Sequence, residues 1–115
     1  MTSILNTIVL RGTAAKILRD SAEEKRVQRA SSVTVLSAVE NRENGSLRAE
    51  VEGSSSTYRV EIADLRRGRY RAFRCSCPDH QQRGALCKHG VAVLDRFLAE
   101  KREDWLAAKR LERLG

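Results

Sequence analysis

Arg74-Cys-Ser-Cys-Pro-Asp-His-Gln-Gln-Arg-Gly-Ala-Leu-Cys-Lys-His-Gly90 is the stretch that decides how the chain folds. It holds all three cysteines (75, 77 and 87) and both histidines (80 and 89) of a 115-residue protein. An odd number of cysteines leaves no complete intrachain disulfide framework. Cys75-x-Cys77 and Cys87-x-His89 are two chelating pairs separated by nine residues, the arrangement a closed four-coordinate zinc site needs. A Cys-x-Cys pair works from a strand end, where backbone curvature and Pro78 bring both sulfurs to one ion. A Cys-x-His pair works at a helix start, and Gly84 lets the loop between them return. Thiolates and imidazole in a tetrahedral set select Zn²⁺, with iron a weaker alternative. Cys77-x-x-His80 also has chelating spacing. His89 is favoured, because His80 would put three ligands within six residues and leave one cysteine distant; His80 is then expected to be an exposed loop residue.

The same string, Cys-Ser-Cys-Pro-Asp-His…Arg-Gly…Cys-Lys-His-Gly, preceded by Tyr58-Arg-Val-Glu-Ile62, resembles the SWIM-type zinc finger over about residues 56–98. The resemblance implies a two-strand-plus-helix unit holding one structural Zn²⁺ on Cys75, Cys77, Cys87 and His89. It further implies a DNA-binding or protein-interaction module. Such units are found in chromatin-remodelling ATPases, in transposases and in partners of recombinase-like proteins, so a protein partner in DNA recombination or repair is the alternative expectation. The resemblance says little about residues 1–50.

Outward from the ligands, the chain reads as alternating strands and then helix. Tyr70–Cys75 is a strand running into the first ligands. Before it, Tyr58, Val60 and Ile62 alternate with Arg59 and Glu61, and Leu47, Ala49 and Val51 alternate with charged residues, as half-buried strands do. Val33, Val35, Leu36 and Val39 make a further strand. Asn41–Gly45, Gly53–Ser56 and Asp64–Gly68 are the turns, the first ending in an Asn-Gly pair. Residues 13–30 look helical, with Ala14, Ile17, Leu18, Ala22 and Val27 roughly on one stripe. Ser21–Glu24 reads as a capping box at which the helix would restart. Residues 1–11 fit a helical turn or a short strand. From about Cys87 to Arg113, the residues Val91, Leu94, Phe97, Leu98, Trp105 and Leu106 mark one helical stripe, with Phe97 and Trp105 expected in the core against the sheet. The expected fold is a single α+β domain over 1–115. It is a small zinc-stabilised antiparallel β-meander with an N-terminal helical extension (1–30), a C-terminal helix, and the zinc finger unit at 56–98.

Composition narrows the function. With 41% hydrophobic and 32% charged residues and one proline, the chain has enough apolar content for one modest core. The longest purely apolar runs, such as Val91–Leu94, are four residues, too short for a membrane span. The segment 4–10 is interrupted by Asn6 and Thr7, so no signal peptide is expected and the compartment reads as cytoplasmic or nuclear. Net charge is +7, and it is uneven: residues 1–30 carry +3, 31–65 carry −3, and 66–115 carry +7. Such a field favours polyanions, chiefly nucleic acid, over neutral small molecules. Arg66, Arg67, Arg69, Arg71, Arg74, Arg83 and Lys88 stand against one acid, Asp79, in 23 residues. Arginines around a hairpin tip, with Tyr70 and Phe73 nearby, suit phosphate contact and base stacking, so nucleic acid, with DNA favoured over RNA, is the expected ligand. Arg74, Arg83 and Lys88 are also placed to offset the charge of a three-thiolate zinc site. No enzyme is expected: a catalytic Cys87–His89 pair lacks an orienting third group, and four protein ligands leave zinc no position for water. No small-molecule substrate is expected either.

Overall fold

The computed structural model describes residues 13, 15–41, 43, 45–63 and 73–114. The segment 1–11, the turn at 64–68, the first part of the strand expected from Tyr70, and Arg66, Arg67, Arg69 and Arg71 lie outside the described residues.

The fold is α+β. Strands β1 (Val35–Asn41), β2 (Ser46–Glu52), β3 (Thr57–Ile62) and β4 (Phe73–Cys75) form one antiparallel sheet in the order β1-β2-β3-β4, a plain meander. The period-2 pattern sets the register. Leu47, Ala49 and Val51 pair with Ile62, Val60 and Tyr58, and Ile62 and Val60 pair in turn with Phe73 and Cys75. One face therefore carries Leu47, Ala49, Val51, Val60, Ile62, Phe73 and Cys75, all buried, while Arg48, Glu50 and Glu52 stay on the exposed face. In the first turn, the Asn41 side chain accepts from the Glu43 amide (3.0 Å), and the Gly45 amide donates to the Asn41 carbonyl (3.0 Å).

Helix α1 (residues 15–20) and α2 (Glu24–Ala30) precede the sheet, and α3 (Pro78–Arg83) and α4 (Lys88–Leu114) follow it. α4 crosses the buried face with Val91, Val93, Leu94 and Phe97, and α2 packs on α4. Arg19 on α1 donates to Asp95 on α4 (2.9 Å), and Arg96 donates to the Val35 carbonyl (3.3 Å), so α4 is tied to both the N-terminal helices and the edge strand. Among the described residues, no helix is long and apolar enough to cross a membrane.

Three expectations need correction. The N-terminal helix does restart at Glu24, but without the capping box. The Ser21 hydroxyl turns back to the Leu18 carbonyl (2.6 Å), and Glu23 takes the N-cap position, where its carboxylate serves two arginines instead of an amide. The segment after Cys77 is a six-residue helix, α3, where a loop was expected. Trp105 is half-buried and outside the core, with the Lys109 ammonium 5.4 Å from its ring centroid. At 27 residues α4 is about 40 Å long, and it outruns the sheet that covers its first turns.

Candidate metal centre

The first ligand pair sits where β4 ends. Cys75 is paired with Val60, and beyond it Ser76 clamps the chain to β3: its amide donates to the Arg59 carbonyl (3.1 Å) and its hydroxyl accepts from the Arg59 amide (2.9 Å). Cys77 then leaves the strand as the N-cap of α3, with extended backbone and its sulfur accepting from the His80 amide (3.4 Å). Pro78 opens α3, where a missing amide proton costs nothing, and Gly84 closes it in the left-handed conformation (φ 66°), donating to the His80 carbonyl (2.7 Å).

The second pair opens α4. The Cys87 carbonyl accepts from the Val91 amide (3.1 Å), so Cys87 caps the helix, and His89 lies in its first turn. Gly90 is needed there for space. A Cβ at that position would lie 2.5 Å from the Phe73 ring and 2.6 Å from a Leu86 methyl, so any other residue would have to displace those side chains where the helix starts against β4. The His89 ring meets Tyr58 edge-on, with centroids 5.2 Å apart.

These local structures bring Cys75, Cys77, Cys87 and His89 together, all four buried, with one donor atom from each within 4.8 Å of the others. Cys75 Sγ lies 4.0 Å from His89 Nδ1. Zinc–sulfur bonds of about 2.3 Å make tetrahedral edges of about 3.8 Å, so the cluster needs only a small contraction to hold an ion. Three sulfurs and one imidazole suit Zn²⁺, and no donor position is left for water. One structural zinc belongs to this site. When bound, it cross-links β4, α3 and α4, whose own core is small.

The protons already favour one thiolate. A hydrogen bond from the Cys75 thiol holds Cys87 down to about 4, against the effect of burial, with His89 and the Gly90 amide adding to the lowering. The same bond, followed by burial, pushes the Cys75 thiol up. Burial pushes Cys77 up.

His80 is not the exposed loop residue expected. It sits in α3, half-buried, donating from Nδ1 to the Ala85 carbonyl (2.8 Å) and meeting Phe73 edge-on at 4.9 Å. That hydrogen bond folds the chain between Gly84 and Leu86, so His80 shapes the ligand loop from outside the ligand set.

The basic side chains divide into two groups. Arg83 is bound up: it donates to Asp79 (2.9 Å), to Glu23 (2.7 Å) and to the Leu86 carbonyl (3.5 Å). Arg26, which the sequence did not single out, is buried and bonds the same two acids, Glu23 at 2.7 Å and Asp79 at 3.0 Å. Two guanidiniums and two carboxylates thus lock α2 onto α3. The Arg26 hydrogen bond holds the Asp79 carboxyl below its usual range, and the Arg83 hydrogen bond does the same for Glu23. This lock is present above the ordinary carboxylate range and is lost as pH falls through the two lowered values. The only advance signal was that Asp79 stood as a lone acid among seven cations. Arg74 and Lys88 form the other group. Among the described residues neither makes an ion pair, and Arg74 is exposed.

Residues 74–97 match the family model of the SWIM zinc finger. The match starts one residue before the first ligand and ends at Phe97, and it does not include β3. No curated protein and no solved structure matches the chain significantly.

Proposed function

Taking the SWIM zinc finger at 74–97 as the premise, we propose that the protein is a non-catalytic module in which zinc holds a rigid platform and the basic residues around it bind nucleic acid, DNA in preference to RNA. The observation that carries this reading is the split among the cations. Arg26 and Arg83 are consumed in structural ion pairs, whereas Arg74 and Lys88 make none among the described residues, and Arg74 follows in sequence the segment that holds Arg66, Arg67, Arg69 and Arg71. Phosphate contacts need cations of that kind, unpaired and held by a stiff frame.

Fluorescence anisotropy of the zinc-loaded protein against labelled DNA and RNA across a salt series tests it. With four arginine contacts, the logarithm of the binding constant should fall with the logarithm of salt at a slope of roughly −3. Arg66, Arg67, Arg69 and Arg71 all changed to Glu should abolish binding. No binding even at low salt overturns the reading.

A second reading has its own support. Leu36 and Val39, on edge strand β1, are 52% and 68% exposed, and Ile17 on α1 is 47% exposed. Apolar side chains on a strand that has no further neighbour among the described residues suit a protein partner, including one engaged in DNA recombination or repair. That reading predicts partner capture that survives the four Arg→Glu changes and is lost in Leu36→Lys/Val39→Lys.

A further inference from the structure

A cavity of about 310 Å³ opens between α2, the β2–β3 turn and the zinc centre. Its lining includes Cys77 and His89, so the metal would fix its shape. Arg29 and Lys88 line it, and neither has an ion-pair partner among the described residues, although Glu52 and Asp79 line it as well. Tyr58 lines it too, half-buried and braced edge-on by His89.

Two unpaired cations and an aromatic ring in one concave site are what a nucleotide asks for: charge for its phosphate and an apolar ring for its base. The volume is at the low end for small-ligand pockets, enough for one such unit. A base can enter only if it is unpaired, so the strand must be single. We propose that this cavity takes one nucleotide of a single-stranded nucleic acid, its phosphate held by Arg29 and Lys88 and its base against Tyr58. The proposal rests on the nucleic-acid reading above and adds to it a second contact region, on the α2 side of the zinc centre.

The test uses the zinc-loaded full chain, a labelled oligothymidine of about ten nucleotides, and a duplex of similar length. Arg29→Ala/Lys88→Ala releases the one phosphate that both cations hold, so the salt slope for the single strand should become shallower by about 0.7. Tyr58→Leu should weaken single-strand binding about tenfold, and Tyr58→Phe, which keeps the ring, should bind as wild type. Tyr58→Leu should affect duplex binding much less. The cobalt(II) absorption of the metal site, unchanged in every variant, shows that the platform is intact.

Wild-type single-strand affinity and slope in Arg29→Ala/Lys88→Ala would overturn the pocket and leave the basic hairpin as the binding face. Equal losses on single strand and duplex in Tyr58→Leu would also overturn it. Failure of the unaltered protein to bind any nucleic acid would overturn the broader reading, and this proposal with it.

Discussion

The two halves of α4 carry the same kind of apolar stripe and meet different fates. In the first half Val91, Val93, Leu94 and Phe97 are all buried, and the helix is anchored by two zinc ligands and by Gly90 against Phe73. In the second half Leu106 is 41% exposed and Leu111 71% exposed. Between them lies Lys101, buried, its ammonium 2.7 Å from Glu40 on β1 and 5.1 Å from the Phe97 ring centroid. Periodicity makes a helix, but what covers it depends on where the anchors are. Here the anchors are a metal site at one end of the sheet and a buried ion pair where α4 leaves it.

Breaking the first anchor should have the largest effect. The largest fully buried side chains are mostly valines and cysteines, a core too small to hold β4, α3 and α4 together unaided. Zinc binding in small fingers is worth on the order of 10 kcal/mol, which is folding free energy. Cys75→Ser, or chelation, should therefore remove ordered structure over 73–100, seen as lost helical circular dichroism and a collapsed melting transition. A chelated protein that keeps its fold and its melting temperature would show that the metal is not what holds the first half of α4.

The second anchor should matter less, but clearly. Lys101→Ala takes away the ammonium that the Glu40 carboxylate faces in a largely buried setting, and breaking such pairs costs about 3 kcal/mol or more. Urea unfolding of the zinc-loaded protein should show that loss. Lys101→Met/Glu40→Met should recover most of it, because a matched apolar pair carries no desolvation cost. If the single variant unfolds at the wild-type midpoint, the pair is an exposed contact in solution and α4 leaves the sheet earlier than Lys101.

The same contrast explains what could be read in advance. Strands β2 and β3 were legible because Leu47, Ala49, Val51, Val60 and Ile62 alternate with charges and are buried on one side only. The four ligands were legible because metal chelation constrains spacing within a few residues. Helix α3 was not legible as a helix. None of its six residues is buried, so it has no apolar period, and its marks, Pro78 at the start and Gly84 after the end, serve equally a Cys-x-Cys bend and a loop that returns the chain. The Arg26–Asp79 pair joins residues 53 apart, and no local pattern announces such a contact. Trp105 was placed in the core because a stripe alone does not tell where the sheet stops.

The tail of α4 should give the smallest effect, and it is the sharpest check on the comparison. Leu111→Ser removes a large apolar side chain that is 71% exposed, so it should change stability by no more than about 0.5 kcal/mol. Leu94→Ala, on the same helix but fully buried, should cost about 2–5 kcal/mol. Parallel urea titrations of the two variants, both zinc-loaded, measure the ratio directly. Comparable losses would mean that the second half of α4 is covered in solution, as by a second copy, and that the division at Lys101 is not a boundary. A wide gap would fix that boundary and leave residues 105–111 as a helix held in place by the anchors before it.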